Sequence, residues 1–209
     1  MKIKMYLSNL LKLLVLGLIF NSAFAENPSK EELKRMSVFI SNFTEARIGE
    51  IDMPTLAYSN NQNEKQEIIE QLVSFGIEHN YINNFQSRMA NNSCPKKEHY
   101  AGIELKYLQE SVDKYFGYNL SNNLPKNLHD DALILENNCY YRILADGEMV
   151  AHAKVNSVKK QKDGIVFMSG ILYYPDMDNE FGGLFIAKAK EKTYKGKKTW
   201  ELISLKIIN

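Results

Sequence analysis

Cysteine, tryptophan and histidine are scarce in this chain, and the common catalytic motifs are missing. Its 209 residues include two cysteines, one tryptophan and four histidines. There is no Gly-x-Ser-x-Gly elbow, His-Glu-x-x-His helix, phosphate-binding glycine loop or dinucleotide fingerprint. The cysteines have neither a CxxC spacing nor a Cys/His cluster of zinc type. The sequence therefore indicates no metal and no cofactor, and it favours a non-catalytic role.

Long apolar runs are also absent, apart from one short run near the N-terminus. Leu13–Phe20 (LLVLGLIF) follows Lys2, Lys4 and Lys12 and precedes Ala23-Phe24-Ala25. This order of basic, apolar and small residues is typical of a secretory signal peptide, and the run is too short for an ordinary membrane span. We expect residues 1–25 to be a signal peptide and residues 26–209 to form a single α+β domain.

The exported chain has little net charge. Signal removal takes three of 26 Lys+Arg and none of 25 Asp+Glu, which leaves a net charge of about −2. Nucleic-acid binding usually needs a basic stripe, so no nucleic-acid partner is expected. Glu26 stands where a lipoprotein would carry cysteine, so we expect a soluble product without stable membrane insertion, in the periplasm rather than the medium. The basic run Lys188–Lys198, interrupted by Glu191, is interpreted as a solvated hairpin.

The two cysteines, Cys94 and Cys139, are expected to pair. An isolated pair in an oxidising compartment most often forms a disulfide. The bridge closes a loop of about 45 residues, which contributes on the order of 4 kcal/mol in the chain-entropy model. Free thiols and metal ligation are the weaker alternatives.

The first half of the chain has helical periodicity. A capping box at Ser29 and apolar residues at intervals of three and four predict a helix over Lys30–Phe43. Similar stripes predict helices over Glu64–Phe85 and Lys106–Phe116, the latter ended by Gly117. A short strand is predicted at Tyr100–Glu104.

After Asn138 the period changes to two, which is typical of strands. Turn-forming pairs separate the segments, as expected for antiparallel neighbours. The predicted strands are Cys139–Leu144, Met149–Val158, Ile165–Tyr174, Leu184–Tyr194 and Thr199–Ile208.

This order of elements predicts three N-terminal helices packed on a curved antiparallel sheet of about five to six strands. It resembles the NTF2-like and cystatin-like cones, and the closing Gly-Lys-Lys-Thr-Trp-Glu-Leu-Ile hairpin (residues 196–203) is similar to the last hairpin of NTF2-like domains. The resemblance implies a pocket on the concave face of the sheet.

Three N-terminal segments are also similar to exported bacterial proteins of unassigned function. They are SVFISNFTE (residues 37–45), FGIEHNYINN (75–84) and KYFG (114–117). This resemblance implies export and a shared fold, and it assigns no catalytic residue.

Two histidines are candidates for chemistry. His79 lies on the apolar stripe of the second helix, where histidine is more often a hydrogen-bonded core residue than a base. It becomes a ligand-binding candidate, with Asn83, if the helix lines a pocket. On the predicted strand, the side chain of His152 points to the face opposite Ala151 and Ala153. It is therefore either exposed or directed into the concavity.

Aromatic residues supply the other candidates. Tyr141, Tyr173 and Trp200 are consistent with a pocket wall, although aromatic pairs on strands are more often core packing. We therefore predict binding of a small ligand or an envelope protein through the concave sheet face. The alternatives are a cofactor-free hydrolase or isomerase with His79 or His152 as general base, and an inhibitor or interaction module for envelope enzymes.

Overall fold

The computed structural model of the protein describes residues 28–90, 93–120, 133–143 and 150–208. The signal peptide predicted at residues 1–25 lies outside these ranges, as do Leu144 and Met149 at the ends of two predicted strands. No helix in these ranges is long and apolar enough to cross a membrane.

The predicted helices are all present, and the described ranges add one short helix. The helices are α1 (Lys30–Glu45), α2 (Pro54–Tyr58), α3 (Gln62–Asn84) and α4 (Leu105–Phe116). The Ser29 hydroxyl accepts from the Glu32 amide and begins α1, while Gly117, with φ of 63°, ends α4. A π-helical turn, Phe85–Met89, continues α3.

The C-terminal strands form an antiparallel meander, as predicted. Its strands are β5 (His152–Lys160), β6 (Ile165–Tyr174), β7 (Glu180–Tyr194) and β8 (Lys197–Ile208), and β1 (Glu50–Asp52) joins them at the edge. The strand order is β1-β8-β7-β6-β5. The register shifts once in each of the pairs β5–β6, β6–β7 and β7–β8, and such bulges bend and twist strands.

The expectation of one sheet is corrected, because β4 (Cys139–Ile143) does not join the meander. It pairs with β2 (Tyr100–Glu104) and β3 (Leu133–Glu136) in a second, three-stranded antiparallel sheet. Alternation along a strand shows which face is buried but not which strand is its neighbour. The sequence therefore predicted β4 correctly as a strand and assigned it to the wrong sheet.

The disulfide between Cys94 and Cys139 is confirmed, with Cα atoms 5.7 Å apart. It ties the segment that follows the π turn to the first residue of β4. Tyr141 packs in the same small cluster as the two cysteines. The bridge therefore anchors the second sheet to the end of α3.

Helix α1 covers the free edge of β5 with hydroxyl groups spaced one turn apart. Ser37 Oγ accepts from the Val155 amide and Ser41 Oγ from the Ala153 amide, both at 2.9 Å. The Thr44 hydroxyl donates to the carbonyl of Ala151 at 2.6 Å. These bonds satisfy an edge that would otherwise be free to pair with another chain.

Buried side chains from α1, α3, α4 and both sheets form one main hydrophobic cluster. Its centre is aromatic, with Phe43 in contact with Phe75, Tyr115 and Phe116. Gly76 allows α3 and α4 to approach closely, because a Cβ there would lie 2.7 Å from Leu108 Cγ. This close approach brings the polar residues that follow Gly76 against α4.

Candidate functional site

A basic cleft lies between the helices and the tip of the β7–β8 hairpin. Its volume is about 620 Å³, a size typical of small-molecule sites. α1, the end of α3 with the π turn, α4 and the hairpin all contribute to it. Its charged lining consists of Glu31, Lys34, Arg35, Arg88, Glu110, Lys114, Lys195, Lys197 and Lys198. The remaining lining residues are Val38, Phe39, Asn42, His79, Asn84, Ser111, Tyr115, Tyr194, Thr199 and Trp200.

The charge of this cleft is opposite in sign to the net charge of residues 26–209. Seven of the lining residues are basic and two are acidic, whereas residues 26–209 together have 23 Lys+Arg and 25 Asp+Glu, a net charge of about −2. Positive charges collected in a concave surface with low-dielectric walls raise the local concentration of anions. The cleft is therefore electrostatically suited to an anionic ligand.

Arg88 is held in a fixed position by α3 and α4. Its guanidinium donates to Asn80 Oδ1 at 3.0 Å and pairs with Glu110 at 3.0 Å. Asn80 is fully buried, and its Nδ2 donates to Ser111 Oγ at 2.8 Å. This bond fixes the orientation of Asn80 Oδ1, which accepts from Arg88. The Arg88 guanidinium also lies 5.4 Å from the centre of the Tyr107 ring. Because its partners are themselves buried or paired, Arg88 is a preorganised donor at the cleft wall.

Arg35 and Trp200 form a second fixed unit, on the hairpin side. The Arg35 guanidinium donates to the carbonyl of Lys198 at 2.7 Å and lies 5.3 Å from the centre of the Trp200 ring. Phe39 contacts the same indole, with ring centres 5.6 Å apart. The indole Nε1 is buried and has no hydrogen-bond partner among the described residues. Trp200 is 5% exposed, so it presents only a small apolar surface to the cleft, with cationic groups beside it.

Lys114 has no carboxylate counterion among the described residues. Its Nζ donates to the Tyr115 hydroxyl at 3.1 Å, and no described carboxylate lies within 4 Å of it. Burial lowers the pKa of Lys114, and the positive charges of Arg88 and Lys197 lower it further. Glu110, the nearest acid on the same helix face, is engaged by Arg88 and Lys195.

His79 is a buried, neutral residue at the base of the cleft. The residue is 5% exposed. Its ring stacks on Phe75, with ring centres 5.3 Å apart, and meets the Tyr115 ring edge-on at 4.7 Å. Burial lowers the pKa of His79 to about 3, with added repulsion from Lys114 and Arg88. Asn83 Nδ2 lies 3.2 Å from Nδ1. With Nδ1 accepting from Asn83, the ring proton sits on Nε2.

Two of the six residues named from sequence as ligand-binding candidates line the cleft, namely His79 and Trp200. Asn83 is exposed and contacts the cleft only through His79. Tyr141 is buried beside the disulfide, with Lys97 Nζ 5.1 Å from its ring centre. His152 and Tyr173 contact each other on adjacent strands, with ring centres 5.9 Å apart.

His152 pairs with Glu45 at the C-terminal end of α1, where its Nε2 lies 3.7 Å from the Glu45 carboxylate. Burial raises the pKa of Glu45, and His152 partly opposes this shift. Neither residue lines the basic cleft. The structure therefore does not bring the two candidate histidines into one site.

Sequence reasoning missed the cationic residues of the cleft. Lys195, Lys197 and Lys198 belong to the run interpreted as a solvated hairpin, and Arg35 and Lys114 received no role. The available signal was KYFG, where Lys114 stands next to two aromatic residues in the helix that faces α3. The hairpin lysines are recognised as cleft residues only from the fold, which places them opposite α1 and α4.

The chain matches no model of a known protein family, no curated protein and no solved structure. Within residues 28–90, 93–120, 133–143 and 150–208, no group of three or more His, Cys, Asp or Glu side chains is arranged to hold a metal ion.

Proposed function

We propose that this protein is an exported, non-catalytic binding protein that takes up a small organic anion in the basic cleft. The observation that carries the proposal is the combination of seven basic and two acidic lining residues with an aromatic wall. Small-molecule sites are commonly apolar cavities with a few convergent polar groups. The anionic group is expected to bind near Lys114 and Arg88, and the apolar body to bind against Phe39 and Trp200.

The residues of the cleft fit a carboxylate, phosphate or phosphonate. Charge-assisted hydrogen bonds from lysine and arginine to such groups are stronger than neutral hydrogen bonds. Arg88 is already oriented by Asn80 and Glu110, so little side-chain freedom is lost when it binds a ligand. Neutral His79, with its proton on Nε2, adds an uncharged donor at the base.

The proposed architecture is the NTF2-like or cystatin-like cone in a single domain, with the binding surface on the concave, helix-covered side of the five-stranded sheet. Three bulged strand pairs and the contact between Phe39 of α1 and Trp200 of β8 support this proposal. Export to the periplasm is part of the same proposal, and the Cys94–Cys139 disulfide supports it.

The general-base alternative is less well supported than anion binding. A general base works best with a pKa near the operating pH, whereas the pKa of His79 lies near 3. His152 lies outside the cleft. The alternative role as an inhibitor of envelope enzymes has no specific contact or surface in its favour and stays a prediction.

Calorimetric titration with two matched probes tests the proposal. Phenylphosphonate carries a ring and an anionic group, whereas benzyl alcohol keeps the ring without the charge. We expect measurable binding of phenylphosphonate only. We expect Lys114→Met to weaken it about tenfold, the equivalent of about 1.4 kcal/mol for one charge-assisted contact.

Lys188→Met is the matched control, because Lys188 lies near Phe167 on the strands and does not line the cleft. It removes the same charge and is expected to leave binding unchanged. Equal binding of the two probes, or equal weakening in the two variants, would contradict an anion site in the basic cleft.

A further inference from the structure

Lys114 differs from the lysines that have a carboxylate partner. Ion pairing raises the pKa of Lys97, Lys106 and Lys160, each of which has a carboxylate partner. Lys114 instead has a phenol as its hydrogen-bond partner and has cations nearby. A lysine that is partly desolvated beside other positive groups becomes a nucleophilic amine.

The phenol cannot supply the missing negative charge. Burial raises the pKa of Tyr115 to about 12, with a contribution from Glu45, so the hydroxyl stays protonated near neutral pH. Tyr115 also donates to Asn42 Oδ1 at 3.3 Å. Because the Tyr115 hydroxyl proton goes to Asn42, the Tyr115 oxygen accepts one N–H of Lys114. The amine is thereby oriented in the cleft without being locked into an ion pair.

The charged groups considered around Lys114 come from three of the four elements that form the cleft, whereas α1 adds Glu31, Lys34 and Arg35 to the lining. Arg88 comes from the end of α3, Lys197 from the hairpin and Glu110 from the preceding turn of α4. Arg88 and Lys195 hold the Glu110 carboxylate. The ring face of Tyr115, 4.5 Å from Nζ, favours the ammonium form. Burial and the two cations, Arg88 and Lys197, have the larger effect, so the pKa of Lys114 is lowered overall.

We infer that the Lys114 amine forms a reversible imine with a ligand that carries both a carbonyl group and an anionic group. The inference rests on the proposed function, because the cleft cations would hold the anionic group while Lys114 meets the carbonyl. The Nζ lone pair attacks the carbonyl carbon, and the two amine protons pass to the carbonyl oxygen. That oxygen leaves as water, and the C=N bond of the imine remains. The step needs no oxidant or reductant.

Reductive trapping on the exported protein, with its disulfide intact, tests the inference. The protein is incubated at pH 7.5 with glyoxylate, an anionic aldehyde, and cyanoborohydride, and the modified lysines are quantified by peptide mass spectrometry. An ordinary lysine amine is neutral in only about one molecule in a thousand at this pH. Each unit by which its pKa falls raises that fraction about tenfold. We expect Lys114 to be modified several-fold faster than exposed Lys162 and Lys190, because its pKa is lowered and the cleft cations collect the anionic aldehyde. A rate no faster than theirs would overturn the inference.

A parallel reaction with formaldehyde separates this inference from the proposed function. Formaldehyde is neutral, so it reports the reactivity of the amine without anion capture. Faster modification of Lys114 by both aldehydes, with no greater preference for glyoxylate, would contradict anion binding while supporting the reactive amine. Binding of phenylphosphonate without selective modification of Lys114 would overturn the amine and leave the proposed function intact.

A variant outside α4 tests the cause of the reactivity. Lys197→Met removes a nearby cation from an exposed hairpin position, so the fold should be preserved. We expect the formaldehyde rate at Lys114 to fall severalfold, because the ammonium form loses a repulsive neighbour. Lys162→Met, in a turn away from the cleft, should leave it unchanged. An unchanged rate in Lys197→Met would contradict the electrostatic origin.

Discussion

The buried imidazole of His79 should make the protein acid-sensitive in a window set by its pKa. The pKa of His79 in the folded protein is about 3, below the ordinary histidine value of 6.5, because the ring is buried. The unfolded chain therefore takes up a proton at His79 as the pH falls below about 6.5, while the folded chain does not. Stability that is fully present above about pH 7 is lost progressively as the pH falls toward 3. At pH 5 the loss from this one group is about 2 kcal/mol.

Urea unfolding at pH 7.5, 6.0 and 5.0 measures this loss, with the fluorescence of Trp200, the one tryptophan of the chain, as the signal. The comparison variant is His79→Gln, which keeps a polar side chain of related size and does not titrate. We expect its absolute stability to be lower at pH 7.5, since the contact with Phe75 is lost. Its decline from pH 7.5 to 5.0 should be about 2 kcal/mol smaller than that of the native protein.

Parallel pH profiles for the two proteins would refute the reasoning. They would mean that His79 binds a proton in the folded state, and hence that it is not the neutral, desolvated group described above. Glu45 makes an opposite contribution, since a raised pKa favours the folded state as the pH falls. It is common to both proteins and cancels in the comparison.

Two further predictions concern the scaffold around the cleft. Replacing Cys94 and Cys139 together with serine should lower the free energy of unfolding by about 4 kcal/mol, measured by urea unfolding; a change below about 1 kcal/mol would contradict a structural role. Ser41→Ala removes the acceptor for the buried Ala153 amide at the β5 edge and should cost about 1–3 kcal/mol. Exposed Ser87→Ala is its control, and equal effects of the two serine changes would show that the edge contact is unimportant.

Much of the secondary structure follows from periodicity alone. β6 has the predicted bounds, Ile165–Tyr174, because turn residues flank ten residues of strand type. β1 and β3 were missed because segments of three or four residues are too short for a period to be visible. β4 was recognised but given the wrong sheet, since its partners are chosen by long-range contacts.

The candidate site was only partly predictable. His79 and Trp200 were found because an imidazole on an apolar stripe and a lone indole in a hairpin are visible locally. The cationic residues were not found, because Arg35 and Lys198 meet across 163 positions of sequence. In sequence, the hairpin lysines are indistinguishable from a solvated charged turn. Their place in the cleft results from the packing of α1 and α4 against the hairpin.

The most direct measurement of the central claim uses Trp200 as a reporter of charge in the cleft. It is the single tryptophan and lines the basic cleft. Fluorescence quenching by iodide is compared with quenching by caesium at constant ionic strength. An anion-collecting cleft predicts that the iodide-to-caesium quenching ratio of Trp200, which is 5% exposed, is several-fold higher than that of free N-acetyltryptophanamide, and that this ratio falls in Lys114→Met and Lys197→Met. A ratio in the native protein that is no higher than that of the free indole would contradict the claim that this cleft attracts anions.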